Sequence, residues 1–236
     1  MSPPGGRGRT LAAMSPHHRP RRHPGPRTLT LDEYADRLRR LPPSCGPVRL
    51  VGVDGHAGSG KSTFAARLAR ALGGAPVLRL DDIASHEALF AWTGRLLDQV
   101  VEPLARGERA HYETYDWVAR HFTGSRELPP AEVVLIEGVG AGRRTLRPFL
   151  ATLAWMDLPS EKAWARGRAR DGAPQRAFWD RWIPAERKHF AWDPSWPFAE
   201  QVVRECPEGY EVLAGPGEAE TQASAVTHRE ELPAAC

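Results

Sequence analysis

Two short runs dominate the hydrophobic pattern, residues 48–53 (Val-Arg-Leu-Val-Gly-Val) and residues 132–138 (Glu-Val-Val-Leu-Ile-Glu-Gly). The second is continuously apolar, as a strand covered on both faces must be, and it ends in an acid and a glycine. Residues 151–156 form a further such run, ending at Asp157, and residues 76–80 a shorter one that delivers Asp81 and Asp82 at its C-terminal end. Between these runs the period becomes helical. Thr30 with Glu33 makes a capping box, after which Leu31, Tyr34, Leu38 and Leu41 share one face until Pro42-Pro43. A helix from Lys61 stops at Gly73-Gly74, and Leu89, Phe90, Leu96, Leu97, Val100, Val101 and Leu104 recur at helical spacing over 87–106, interrupted by Gly94 and Pro103. Residues 110–117 alternate as a strand or extended loop, 161–171 read as a short basic helix, and 174–192 as an aromatic helix with a break near Pro184. Strands alternating with helices predict an α/β fold built on a mostly parallel, doubly wound sheet with flanking helices.

Charge divides the chain unevenly. The first 28 residues hold six arginines and no acid, so the rest of the chain is net −3 although the whole is +3. A neutral-to-acidic body with a basic arm lacks the footprint of a nucleic-acid-binding domain. The arm is rich in Pro, Gly and His and cannot bury enough apolar surface to order itself, and the polar stretch 215–236 reads the same way. The expected organisation is therefore an arm at 1–28, one domain at 29–214 and an acidic tail at 215–236, with Met14 an alternative start. No apolar run is long enough to cross a bilayer and the N-terminus lacks a secretory apolar core, which predicts a cytoplasmic protein with no membrane partner. Cys45, Cys206 and Cys236 fit neither a disulfide framework nor a zinc pattern.

The most specific chemistry lies between the first strand and the helix that follows. Residues 55–62, Gly-His-Ala-Gly-Ser-Gly-Lys-Ser, match G-x-x-x-x-G-K-[ST], a phosphate-binding loop in its strand–loop–helix setting. Gly55, Gly58, Ser59 and Gly60 let successive amides face a phosphate; Lys61 reaches the β- and γ-phosphates, and Ser62 and Thr63 open the helix, with the Ser62 hydroxyl on Mg²⁺. ATP, or GTP, with Mg²⁺ is the implied ligand. Asp81 and Asp82 sit where an open α/β sheet binds ligands, with capping of the next helix as the alternative.

Taken in order over about 48–204, these motifs resemble the uridine kinase family of P-loop kinases, which includes phosphoribulokinase-like and pantothenate-kinase-like relatives. The resemblance implies Asp81 as the catalytic base and an organiser of Mg²⁺, Glu137 as a second metal-holding acid, and Tyr115, Asp116 and Trp117 as the lining of the acceptor pocket. A structural aromatic strand is the alternative for the last three. Asp157, Arg166, Arg170 and Asp171 look like the family's strand and arginine lid. Arg166 and Arg170, one helical turn apart, would reach ATP phosphates, with Arg170 also catalytic, and a plain basic surface helix is the alternative. One segment departs from the family: the His-Pro-Asp-Ala-Phe-Asp stretch of uridine kinases is absent from 82–92, where His86 or Glu87 stand as replacements. The implied activity is transfer of the γ-phosphoryl group to a small-molecule hydroxyl, first the 5′-hydroxyl of uridine or cytidine. The alternatives are another small alcohol, pantothenate-like or sugar-like, and a non-catalytic nucleotide-binding regulator.

Overall fold

A computed structural model describes residues 29–217. The basic arm, Met14 and all of the tail beyond Gly217 lie outside them. Six strands make the main sheet: β1 (Arg49–Asp54), β2 (Val77–Arg79), β5 (Val133–Glu137), β6 (Leu150–Met156), β7 (Gln201–Cys206) and β8 (Gly209–Ala214). Across the sheet they stand in the order β2-β5-β1-β6-β7-β8. All neighbours are parallel except β8, which turns back antiparallel on β7. A separate antiparallel hairpin pairs β3 (Ala110–Asp116) with β4 (His121–Leu128).

The apolar runs are covered on both faces, as their continuity requires. Leu50, Val134 and Ile136 point to one side, against Leu96, Val100 and Leu104, and the hairpin residues Ala110, Tyr112 and Leu128 join them. Val51, Val53, Val133 and Leu135 point to the other, against Tyr34, Leu38, Phe64 and Leu68. The last four belong to α1 (Leu31–Arg40) and α2 (Lys61–Ala71). The capping box at α1 is complete, with the Glu33 carboxylate accepting from the Thr30 amide at 2.9 Å and Thr30 Oγ1 accepting from the Glu33 amide at 3.3 Å. Such a cap contributes about 1 kcal/mol.

Several elements differ from the sequence expectation. The helix anticipated from residue 87 starts at α3 (Thr93–Leu96) and runs through a π turn (Leu97–Val101) into α4 (Glu102–Ala105). Residues 83–92 are a loop, in which Leu89 and Phe90 pack inward without helical hydrogen bonding. The π turn immediately precedes Pro103, which has no amide to donate, so the rod continues past it. Helix α6 (Arg176–Trp192) likewise runs through Pro184 without ending there. Helix α5 (Ser160–Asp171) packs against α6 at Gly167, where a Cβ would stand 2.3 Å from Cη2 of Trp179. Gly215 and Gly217 donate to the carbonyls of Glu200 and Ala199, which ties residues 215–217 to the segment before β7. Among the described residues no helix is long and apolar enough to cross a membrane.

Candidate active site

The loop between β1 and α2 holds three glycines in backbone conformations closed to other residues, with φ of +143° at Gly55, +85° at Gly58 and +97° at Gly60. Gly60 caps α2 without a side-chain hydrogen bond, leaving the first amides of the helix open to an anion. Lys61 is buried and arches back over the loop, its Nζ donating to the carbonyls of Gly55 (3.0 Å) and His56 (2.9 Å). Gly58, Gly60, Lys61, Ser62 and Thr63 all line one cleft of about 570 Å³. Ser59 does not; its buried hydroxyl lies against Gly55 behind the loop.

Asp54, not singled out in the sequence, fixes the base of this loop. Its buried carboxylate accepts from the amides of Gly55 (2.7 Å), Gly140 (2.9 Å) and Gly142 (2.8 Å), binding the loop after β1 to the loop after β5. An Asn at this position must aim an NH₂ at one of those donors. Asp54→Asn is expected to cost about 1–3 kcal/mol, read as an earlier midpoint in urea unfolding.

Two acids enter the cleft opposite the loop. Glu137, at the end of β5, is 3% exposed, and burial pushes its carboxyl up, opposed by the Lys61 charge and the Ser62 hydroxyl beside it. Asp81 sits in a 3₁₀ turn (Leu80–Asp82) after β2, on the cleft wall, and its charge is felt at Glu137 and Arg170. Asp82 turns away: Arg126 of β4 holds it at 2.7 Å, and burial leaves its carboxyl above the usual range. Since the next α-helix begins at Thr93, neither Asp caps it. Ser62, Asp81 and Glu137 line the same cleft and carry oxygen atoms, the donor type that Mg²⁺ prefers.

The far wall is aromatic. Trp117, His86, Phe178, Trp179 and Trp182 line it, with His86 and Trp117 ring centroids 4.9 Å apart and Trp117 and Phe178 5.8 Å apart. Burial and the guanidinium groups of Arg120 and Arg181 hold His86 below its ordinary pKa, so it is neutral at pH 7. Tyr115 is placed behind His86, its hydroxyl 3.0 Å from Nδ1, while Glu87 stands 3.5 Å from the same hydroxyl. Asp116 is outside the cleft: its carboxylate accepts from the amides of Val118 and Ala119 and closes the β3–β4 turn. Trp117 Nε1 donates to the Asp81 carbonyl at 2.9 Å, pinning the hairpin to the acid-bearing turn.

On α5, Arg170 lines the cleft with its guanidinium paired to Asp171 at 2.6 Å. Arg166 lies near Gly60, held by Glu205 at 2.8 Å, and is not part of the cleft wall. Arg168 pairs with Asp180. Phe178, Trp179 and Trp182 were visible in the sequence only as helix-packing aromatics. Their spacing on α6 turns one ring face to the α5 side and another to the cleft, a distinction that periodicity alone does not make.

A phosphate-binding loop after a central strand of a mostly parallel sheet, with an acid at the end of the neighbouring strand, is the arrangement of a P-loop nucleotide-binding domain. No family model matches the chain. A curated relative, inorganic pyrophosphatase TTM2 of Arabidopsis thaliana, is 31% identical over 111 residues, covering 43% of this chain and 16% of its own length. The chain thus spans less than a fifth of that protein. Solved structures similar to the chain include proteins described as kinases, each with a TM-score below 0.5. A possible uridine kinase from Bacillus stearothermophilus is 22% identical, with a TM-score of 0.45 over 60% of this chain and 88% of that one. A candidate fructose transport system kinase from Silicibacter sp. TM1040 is 27% identical, with a TM-score of 0.47 over 60% and 81%. D-glycerate 3-kinase from Cryptococcus neoformans is 15% identical, with a TM-score of 0.43 over 74% and 91%.

Proposed function

We propose that the protein is an ATP-dependent phosphotransferase that moves the γ-phosphoryl group to the hydroxyl of a small molecule, with the 5′-hydroxyl of a pyrimidine nucleoside as the leading acceptor. One observation carries the reading: a single cleft joins the phosphate loop, Asp81, Glu137 and an aromatic wall. Phosphoryl transfer needs those parts, a cradle for the nucleotide, a cation held by oxygens, a base at the acceptor and a surface that orients it. Lys61 would leave its two carbonyl partners for the β- and γ-phosphates. Ser62, Glu137 and Asp81 would hold Mg²⁺, which when bound neutralises charge on the transferred group. Asp81 accepts the acceptor's proton, and Arg170 supplies a second positive charge once drawn from Asp171. The rings of His86, Trp117 and Phe178 suit a flat base, which favours a nucleoside over the smaller alcohols. The absent recognition segment at 82–92 keeps a different alcohol as the second reading.

The test is ADP formation by the purified full chain with Mg²⁺ and ATP against a panel of nucleosides and small alcohols, with Lys61→Ala as the control. Stimulation by uridine or cytidine, lost in the variant, is the expected result. Stimulation by a sugar or acid alcohol alone moves the protein to the second reading. Nucleotide binding with no stimulated turnover favours a regulatory protein, and release of inorganic phosphate without any acceptor makes it a hydrolase.

A further inference from the structure

Behind the phosphate loop lies a carboxylate that the transfer chemistry leaves unexplained. Glu186, in the middle of α6, is 0% exposed and accepts four hydrogen bonds. Oε1 accepts from His56 Nδ1 (2.7 Å) and Trp164 Nε1 (3.0 Å), and Oε2 from the Ala57 amide (3.2 Å) and Trp182 Nε1 (2.6 Å). An indole N–H and a backbone N–H can only donate, and opposite an acceptor-only carboxylate the His56 Nδ1 must donate as well. All four lone-pair sites are thus matched to donors from the loop, α5 and α6.

We infer that Glu186 is the positioning residue of the phosphate loop. Its carboxylate ties the back of the loop, at His56 and Ala57, to both lid helices, so that the amides from Gly58 onward are held toward the cleft before any nucleotide arrives. This rests on the reading of residues 55–62 as a nucleotide-binding loop, and it assigns a role to His56, a position that varies freely in such loops. Three rings close around the imidazole, with Trp155, Trp164 and Phe190 centroids 5.4, 5.8 and 5.2 Å away, so His56 has no freedom to seek another partner. Burial pushes the Glu186 carboxyl up, but the hydrogen bond from His56 and the Lys61 charge outweigh it and hold the group below its usual range. The carboxylate therefore stays ionised at neutral pH, as four donors demand.

The donor pattern supplies its own test. In Glu186→Gln the new NH₂ must face either Ala57 N–H with Trp182 N–H, or His56 with Trp164 N–H. His56 can escape by moving its proton to Nε2 and accepting at Nδ1; Trp164 cannot. Removing the Trp164 donor with Trp164→Phe lets the introduced amide satisfy every remaining partner. MgADP affinity of the full chain, measured by titration calorimetry, is expected to fall about ten- to a hundredfold in Glu186→Gln. Trp164→Phe alone, which leaves three of the four donors in place, should lose less affinity than Glu186→Gln, and the double variant should bind better than Glu186→Gln, a coupling that general destabilisation does not produce. Unchanged affinity in Glu186→Gln, or a loss that the double variant fails to relieve, overturns the inference. A parent protein that binds no MgADP at all overturns the nucleotide reading first, and the two failures are thereby distinct.

Discussion

Asp81→Asn is expected to lower acceptor-stimulated turnover by about 10²–10⁴-fold, the range for removal of a positioned general base, while MgATP affinity changes by only a few-fold. The two aspartates after β2 differ in their surroundings. Asp82 is tied to Arg126 at 2.7 Å, whereas the Asp81 carboxylate makes no hydrogen bond within the described residues and faces the cleft. A base must face the acceptor, and of the two aspartates only Asp81 lines the cleft. Its backbone is also the better anchored, since its carbonyl takes the Trp117 indole from the hairpin. Asn keeps the shape and loses the basicity, so single-turnover rates separate chemistry from binding. An equal loss of MgATP affinity would make Asp81 chiefly a metal ligand. No loss at all would move the base elsewhere. Asp82→Asn serves as the matched control and is expected to act mainly through stability, by disturbing the Arg126 pair.

The parts of this site that sequence discloses are those made by local backbone rules. Residues 55–62 carry their structure in their composition, because the left-handed turns at Gly58 and Gly60 and the open start of α2 need only short-range geometry. Glu137 was legible as the acid that ends a continuous apolar strand, while its place as a metal-holding acid came from the resemblance to uridine kinases. What stayed hidden depends on partners distant in the chain. Glu186 reads as one acid of an amphipathic helix until α5 and the loop bring Trp164, 22 residues away, and His56, 130 residues away, against it. Asp116 looks like an acceptor ligand beside Trp117, yet its Oδ1 accepts from the Val118 and Ala119 amides and closes the turn outside the cleft. Strand β4 is mostly exposed and carries no alternation, and its pairing with β3 supplies the register that its own residues do not announce. Strands β7 and β8 were also missed, since β7 takes its place from pairing with β6 and β8 from turning back on β7.

Gly58→Ala is the substitution expected to damage the architecture of the site most. A Cβ there would stand 2.1 Å from the Ala163 carbonyl oxygen and 2.9 Å from the Gly167 amide nitrogen. Both are backbone atoms of α5, so no side-chain rotation relieves the contact, and either the loop or the helix must withdraw. The residue also sits at φ +85°, which adds strain to the overlap. Strain of about 1–3 kcal/mol and overpacking of a similar size give an expected loss of about 2–6 kcal/mol, seen as a large fall in the urea midpoint. Gly73→Ala separates the two causes, because Gly73 has φ +78° with nothing within 4 Å of its added Cβ. It should cost only about 1 kcal/mol and leave nucleotide binding intact. Folded Gly58→Ala should also bind MgADP far more weakly, since α5 carries Arg170 into the cleft and Arg166 to the neighbourhood of Gly60. A Gly58→Ala protein as stable as Gly73→Ala would mean that α5 is free to swing, and the close packing of lid on loop would not be what holds the cleft in shape.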